Sequence, residues 1–478
     1  MNILETAKRI LGIKPLDISE LNRRATQDSV QEAPVPACKD PLEGIHVTEE
    51  YKKVRSILED GCPVVFVTGN AGTGKSTLIH YLRIVLNKRL VVLAPTGVAA
   101  LNSGGVTIHS FFHLPPKIHE EEDIKRVYDR KLYQKLDLII IDEISMVRCD
   151  LMDSIDRFLR KNRSSDISFG GVQLLLVGDL FQLPPVVTTQ ERKLLQAKGY
   201  ASRYFFSSFS LQRSTLVPVE LTAVYRQKSA YFVSLLNKIR IGEDIDFPLF
   251  AINESCFTNE KTPRDITLTC TNDAADKINI EELHSLHAKE YSFKGEIKGR
   301  FSIEEDNLPS PIDLRLKVGA HVMFTKNDEG RRWVNGTLGI VRHIDGESIK
   351  VELATDHAGV TYDVQHVVWE KYKYAYNADR DKIVAEKVGE YIQFPLMLAW
   401  AVTIHKSQGR TLENVLVDLG HGAFAPGQVY VALSRCRTME GIRLSRPVRN
   451  TDVKYDPMIK RFYVAMDEMR KSERADKL

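Results

Sequence analysis

One octapeptide constrains this chain more than anything else in it. The apolar run Val64-Val65-Phe66-Val67-Thr68 has strand length and leads into Gly69-Asn70-Ala71-Gly72-Thr73-Gly74-Lys75-Ser76. Glycine, four residues, then Gly-Lys-Ser is the phosphate-loop pattern. Its place between a strand and a helical stretch opening at Thr77 is the context that pattern requires. The glycines let backbone N–H groups turn inward around phosphates. Lys75 would reach the β and γ phosphates and Ser76 would hold Mg²⁺. The bland alternative is a glycine-rich turn, but average frequencies give such a match in only about 1% of chains this long. Residues 69–77 are therefore read as a site for ATP and Mg²⁺, on a parallel sheet flanked by helices.

Three further strand-length runs end in chemistry of the same kind. Leu90–Ala94 runs into Pro95-Thr96-Gly97, Leu138–Ile141 ends at Asp142-Glu143, and Gln173–Val177 ends at Gly178-Asp179 with Gln182 beyond. In open α/β sheets, ligands bind at the carboxyl ends of the strands, so four such ends define one site. Asp142 can hold Mg²⁺ and Glu143 can activate water in line with the γ phosphate. Alone, the pair would read as acids at a solvated helix N-terminus, where the macrodipole favours them. Downstream of a phosphate loop the catalytic reading wins.

At 478 residues the chain is too long for one compact core. Residues 16–45 are polar and carry Pro34-Val35-Pro36, a linker after a short N-terminal helix. Residues 46–220 are expected to form the first α/β domain, with a wedge insertion at about 104–131. A second spans 221–290 and 396–478, with Ile266–Thr269 and residues 415–417 as its clearest strands and 429–433 closing it. Between them, residues 291–395 alternate short apolar runs with Asn335-Gly336 and Asp345-Gly346, the pattern of a small antiparallel β insertion or barrel. No run of about 18 apolar residues exists, so no membrane span is expected. Six scattered cysteines without a Cys-x-x-Cys pair argue for a reducing compartment and against structural zinc. A net charge of +3 permits a polyanionic partner without demanding one.

The remaining motifs turn a nucleotide site into a motor. Gln182, in Gly178-Asp179-Leu180-Phe181-Gln182-Leu183-Pro184-Pro185, could sense the γ phosphate and pass the signal to a neighbouring domain. Arg226 of Tyr225-Arg226-Gln227 and Arg435 of Tyr430-Val431-Ala432-Leu433-Ser434-Arg435 suit spread phosphoryl charge, although either alone would more often be a surface ion pair. Thr403, His405, Lys406 and Ser407, before Gln408-Gly409-Arg410, can hold a phosphodiester backbone without reading bases. Thr96, Gly97, Thr107, His109, Phe111 and Phe112 place hydroxyls beside aromatics, which suits stacking of unpaired bases. At least one of Phe111 and Phe112 is expected in the core, since adjacent side chains diverge.

In this order the motifs resemble those of superfamily 1 helicases, most closely the Pif-type (petite integration frequency) family, relatives of RecD-like enzymes. The match covers about residues 46–445, including Ser168-Phe169-Gly170-Gly171, Gly319-Ala320-His321-Val322-Met323 and Val334-Asn335-Gly336-Thr337. It implies two RecA-like parallel-sheet domains, a short wedge in the first and a Src-homology-like β insertion in the second. It also implies a monomer that moves 5′ to 3′ on single-stranded DNA and opens forked or tailed duplex. Backbone contacts would come from Thr96, Thr107, His109 and the 403–407 positions, and Gly409 would join the nucleotide contacts. One position departs from the family. Tyr51 stands where a Gln reads adenine, and a phenol can stack but cannot make the two-sided amide contact. Measurable GTP or UTP hydrolysis is expected, and strict ATP preference in a nucleotide panel would refute it.

The direction of travel rests on that resemblance and on insertion size, because residues 97–141 leave room for a wedge but not a domain. Three other readings stay open. They are a translocase that displaces bound proteins without opening duplex, an RNA-directed superfamily 1 enzyme, and a non-catalytic switch. The compact chain is expected in the cytoplasm, beside the nucleoid, of a prokaryotic or phage host.

Overall fold

The computed structural model describes residue 42 and residues 45–227, 229–258, 265–301, 308–346, 348–354 and 359–475. The expected N-terminal helix and linker lie almost wholly outside that set. Everything below concerns the unit that begins at His46.

Its first half is a parallel sheet of six strands: β1 (Val64–Gly69), β2 (Leu90–Ala94), β3 (Val106–Thr107), β4 (Leu138–Ile141), β5 (Gln173–Val177) and β6 (Leu216–Leu221). Their order across the sheet is β3-β2-β4-β5-β1-β6. All residues of β1 and β4 are buried. A parallel sheet covered on both faces requires that, and it is why these strands read as unbroken apolar runs. Because β2, β4, β5 and β1 are parallel neighbours, their four polar carboxyl ends meet at one edge.

The second half holds a smaller parallel sheet in the order Ala401–Thr403, β7 (Ile266–Thr269), Val415–Asp418, Ile442–Leu444. Residues 429–433, expected as a closing strand, belong instead to the helix Gln428–Leu433, and Ile442–Leu444 forms the edge. Every residue of that helix is buried. A short run apolar on all sides carries no period, so it reads equally as strand or helix.

The insertion is antiparallel. Its largest sheet orders Thr361–Val364, Ile349–Leu353, Leu338–Ile344, His321–Phe324 and Leu396–Leu398 over one apolar core. A long hairpin, Val367–Asn377 with Lys382–Gln393, reaches back to the first sheet. There the Tyr374 hydroxyl accepts from the Val92 N–H at 3.2 Å, and Arg89 pairs with Asp381 at 3.2 Å. The Val92 amide, beyond the short β3, thus has a partner on an otherwise open edge.

The C-terminal helix Pro457–Ala475 also returns to the first half, burying Ile459 and Met466 in its core. Residues 115–130, the expected wedge, lie along the helix Cys149–Arg163. Asn162 binds the Val127 N–H and the Lys125 carbonyl, and Lys161 caps the Ile124 carbonyl. Tyr128 projects fully into solvent, whereas His119 of the same segment is buried. No helix among the described residues is long and apolar enough to cross a membrane.

Candidate functional site

The phosphate loop is tightly held. Gly72 and Gly74 both have left-handed backbone, at φ 80° and 84°. A Cβ on Gly72 would lie 2.4 Å from the Arg226 Cβ, and one on Gly74 would lie 2.5 Å from the Tyr51 hydroxyl. Glycine is needed here for close approach as well as for conformation. The Ala71 N–H donates to the Tyr430 hydroxyl at 3.0 Å, and Tyr225 N–H donates to the Gly72 carbonyl at 2.9 Å. Lys75 turns its ammonium onto the carbonyls of Gly69 and Asn70, each at 2.8 Å. Burial lowers its pKa against the pull of Asp179 and Glu143.

Tyr51 is not placed to stack on a base. It is buried, and its hydroxyl donates to the Gly74 carbonyl at 2.6 Å, bracing the loop from behind. The aromatic left open beside the loop is Tyr225, about half exposed, with the His46 ring 6.4 Å away in an edge arrangement. The sequence supplied its motif but gave no sign that this ring, rather than Tyr51, would be free.

Asp142 and Glu143 sit at the end of β4 on the wall of a cavity of about 1700 Å³ that also includes Ser76. Burial, then the neighbouring Glu143, push the Asp142 carboxyl up to about 7. Burial also raises Glu143, opposed by Lys75 and Arg435. A buried acid pair at such a cost is what a divalent cation relieves, and a hydroxyl plus one carboxylate beside phosphate oxygens suits Mg²⁺. Among the described residues there is no cluster of three or more acids, His or Cys to hold a metal without phosphate.

Glu143 has φ 50°, a strained backbone for a non-glycine residue. Its carboxylate accepts from Gln408 Nε2 at 2.9 Å, and the same amide reaches Gln182 Oε1 at 3.3 Å. Gln182 in turn donates to Asp179 at 3.3 Å. Asp179 is fully buried and takes two bonds from Arg240, at 3.0 and 3.2 Å. Arg240 lies on the helix Ala230–Ile241, whose apolar face belongs to the second core. Gln408 and Arg240 thus tie the second half to the acid pair and to the turn at residues 179–182. Sequence reasoning named neither. Gln408 stands inside a recognised stretch and Arg240 does not, and the partner of each lies on another segment.

The two predicted arginines differ. Arg226 flanks Gly72 directly and makes a single 3.3 Å bond to the Ser434 carbonyl. Arg435 is buried, and its guanidinium is spent on the carbonyls of Val431, Ser407 and Arg410 and on the Ser434 hydroxyl. Burial, with Arg226 nearby, pushes it down to about 9. It braces the 407–410 loop.

The nucleic-acid candidates divide similarly. Thr96, Thr403, His405 and Lys406 line the same cavity as the acid pair, as does Gly409, expected among the nucleotide contacts. Thr96 caps the helix Gly97–Ser103 by accepting from the Ala99 N–H at 3.2 Å. Thr271 caps Asn272–Ser285 after β7 in the same way, so each half points a helix N-terminus into the cavity. Thr107 is likewise committed, to the short helix Ile108–Phe111. Ser407 is fully buried and donates to the Ile404 carbonyl. His109 is partly buried, and neither it nor Thr107 lines the cavity.

Phe111 and Phe112, expected to stack on bases, are 5% and 0% exposed and pack edge-on against each other and against Tyr133 and Phe158. At least one ring is expected in the core, and a four-residue helix against β2 turns both inward. Phe111→Ala should therefore lower folding stability by about 3–5 kcal/mol, measured by denaturant unfolding. Selective loss of duplex opening at unchanged stability would contradict this placement.

The description of PIF1-like helicases matches residues 47–247. The ATP-dependent DNA helicase PIF1 of Xenopus laevis is 34% identical over 424 residues, 85% of this chain and 62% of that protein. The ATP-dependent DNA helicase Pif1 of Bdellovibrio bacteriovorus is 33% identical over 415 residues, 84% of this chain and 89% of its own. The crystal structure of Pif1 from a Bacteroides species in complex with ADP-AlF4 matches with a TM-score of 0.80 at 37% identity, covering 89% of this chain and 98% of that one. The same relative bound to single-stranded DNA matches at 0.65. This chain spans less than two thirds of the Xenopus relative's length.

Proposed function

The chain belongs to the PIF1-like helicase family, and from that premise we propose that it hydrolyses ATP to move 5′ to 3′ along single-stranded DNA and open duplex, acting as a monomer on forked or tailed substrates. One observation carries the reading. The acid pair and the strand-holding groups of both halves share one cavity, and Gln408 of the second half bonds Glu143 itself. A change in how the halves sit must then be felt at the catalytic carboxylate, which is what a motor needs.

The residues divide the work as follows. The backbone of residues 69–74 and Lys75 bind the phosphates, and the Tyr225 ring is free to cover the base. Ser76 and Asp142 would hold Mg²⁺, which when bound supplies positive charge across the β and γ phosphates. Glu143 takes the proton of the attacking water, with its oxygen aimed by the Gln408 amide. Arg226 leans over Gly72 and meets the charge that spreads on the γ phosphoryl group. Gln182, bonded between Asp179 and Gln408, carries the state of that group to the second half. The helix N-termini at Gly97 and Asn272, with Lys406, grip successive backbone phosphates. Opening one base-pair step costs about 1.4 kcal/mol on average, a small load for one turnover.

The test is ATP-dependent unwinding of matched duplexes bearing only a 5′ or only a 3′ single-stranded tail, with DNA-stimulated ATP hydrolysis measured alongside. Opening of the 5′-tailed duplex alone is the expected result, and opening of the 3′-tailed duplex alone would reverse the direction. Stimulated hydrolysis with neither duplex opened would favour the protein-displacing translocase. The burial of Phe111 and Phe112 gives that rival its one support, because neither ring is then free to stack on bases where the strands part.

A further inference from the structure

We propose that Tyr463 is a positioning residue for ATP turnover, holding the γ-phosphate turn at residues 179–182 against the strand that carries the phosphate loop. The inference rests on the hydrolytic reading above. It assigns a role to a C-terminal helix that contributes nothing to the recognised motifs.

The helix Pro457–Ala475 follows the last strand of the second sheet, yet it buries its apolar face in the first core. Tyr463 makes two contacts there that packing alone does not require. Its ring stacks on Phe181 with centroids 5.0 Å apart and planes 17° from parallel. Its hydroxyl shares a 2.7 Å hydrogen bond with Thr68 Oγ1, one residue before the phosphate loop. One side chain thus touches both halves of the nucleotide apparatus from behind.

The turn it holds is clamped elsewhere too. The Arg240 guanidinium sits 4.4 Å from the Phe181 centroid while pairing with Asp179. On the other side Gly427 presses against the turn. A Cβ there would lie 2.4 Å from the Phe181 carbonyl oxygen and 2.5 Å from that of Gln182. Arg240 and Gly427 belong to the second half, which on the motor reading shifts with nucleotide state. Tyr463 and Thr68 stay with the phosphate loop. The Tyr463–Phe181 stack is therefore the contact that keeps Gln182 in register with the loop while the other clamps shift. Losing it frees the turn, and misplacement by about 1 Å at a reacting centre can cost up to about 10²-fold in rate.

The experiment is steady-state ATP hydrolysis by the full chain, saturated with a single-stranded deoxythymidine oligonucleotide and with sites counted by nucleotide binding. Tyr463→Leu should lower kcat about tenfold while the KM for ATP and the affinity for the oligonucleotide stay within about twofold, the signature of an alignment lost without loss of binding. Tyr463→Phe, which keeps the stack and gives up only the bond to Thr68, should retain kcat within about threefold. Three results would overturn the proposal: unchanged kcat in Tyr463→Leu, a raised KM at unchanged kcat, or equal losses in the Leu and Phe variants. Should Tyr463→Leu fail to fold, Tyr463→Met is read in its place by the same criteria. Absence of DNA-stimulated hydrolysis in the unaltered chain would instead overturn the functional reading, and is seen without any variant.

Discussion

Glu143→Gln is expected to lower ATP turnover by about 10² to 10⁴-fold while nucleotide binding survives. The amide keeps the shape of the carboxylate and leaves Lys75, Ser76 and Asp142 in place, so the phosphates keep their ligands. What is lost is the acceptor for the water proton. The loss extends to the relay as well. Gln408 now donates to a carboxylate oxygen at 2.9 Å, a charge-assisted bond roughly twice as strong as its neutral counterpart. An amide at position 143 weakens that bond and can present N–H₂ where Gln408 needs an acceptor. Single-strand binding should hold, because the strand-gripping groups are elsewhere in the cavity. Stopped-flow binding of a fluorescent nucleotide beside steady-state hydrolysis measures both halves of the expectation. Turnover within tenfold of the unaltered chain would remove Glu143 from the role of base.

How much of this could be read from the residues follows from the distance between partners. The phosphate loop, the acid pair and Gln182 are legible because each is a local string at the end of an apolar run, and parallel topology then brings the ends together. The halves of the site that come from afar are not. Tyr430 on the Ala71 amide and Gln408 on Glu143 lie 359 and 265 residues from what they touch, and Arg240 lies 61 residues from Asp179. Tyr430 and Gln408 stand inside recognised strings and Arg240 on an unmarked helix, and in none of the three do the neighbours indicate the partner. Tyr463 is less legible still, since a tyrosine on an amphipathic C-terminal helix looks like any other core residue. Hydroxyls mislead in a different way. Thr96, Thr107 and Thr403 suit phosphate by composition, yet each hydroxyl accepts a backbone N–H in a cap or tight turn, and Thr107 lies outside the cavity altogether. The helix at Gln428–Leu433 reads as a strand because in a short run apolar on every side periodicity has nothing to report.

The two arginines named from the sequence should separate when each is replaced by Ala, although as sequence they look equivalent. Arg226 abuts Gly72 and holds one neutral carbonyl at 3.3 Å, so its guanidinium can leave that carbonyl for a developing charge at little cost. Arg226→Ala should lower turnover by about 10³-fold or more, with folding stability changed by about 1 kcal/mol. Arg435 makes four hydrogen bonds to its own half, three of them to backbone carbonyls, and has nothing spare to extend. Removing it strands those buried carbonyls at about 1–3 kcal/mol each, so Arg435→Ala should reveal itself first as a fall in midpoint on denaturant unfolding. Loss of turnover there would follow from slackening of the 407–410 loop, which carries Gln408 to Glu143. A double variant tests the division. If Arg226 acts on phosphate and Arg435 acts through the loop, both still meet in the same transition state, and their losses in turnover should combine to less than the product of the two. Equal losses in turnover from the single variants, at unchanged stability in both, would return Arg435 to direct contact with the nucleotide and require it to leave its four partners during the cycle.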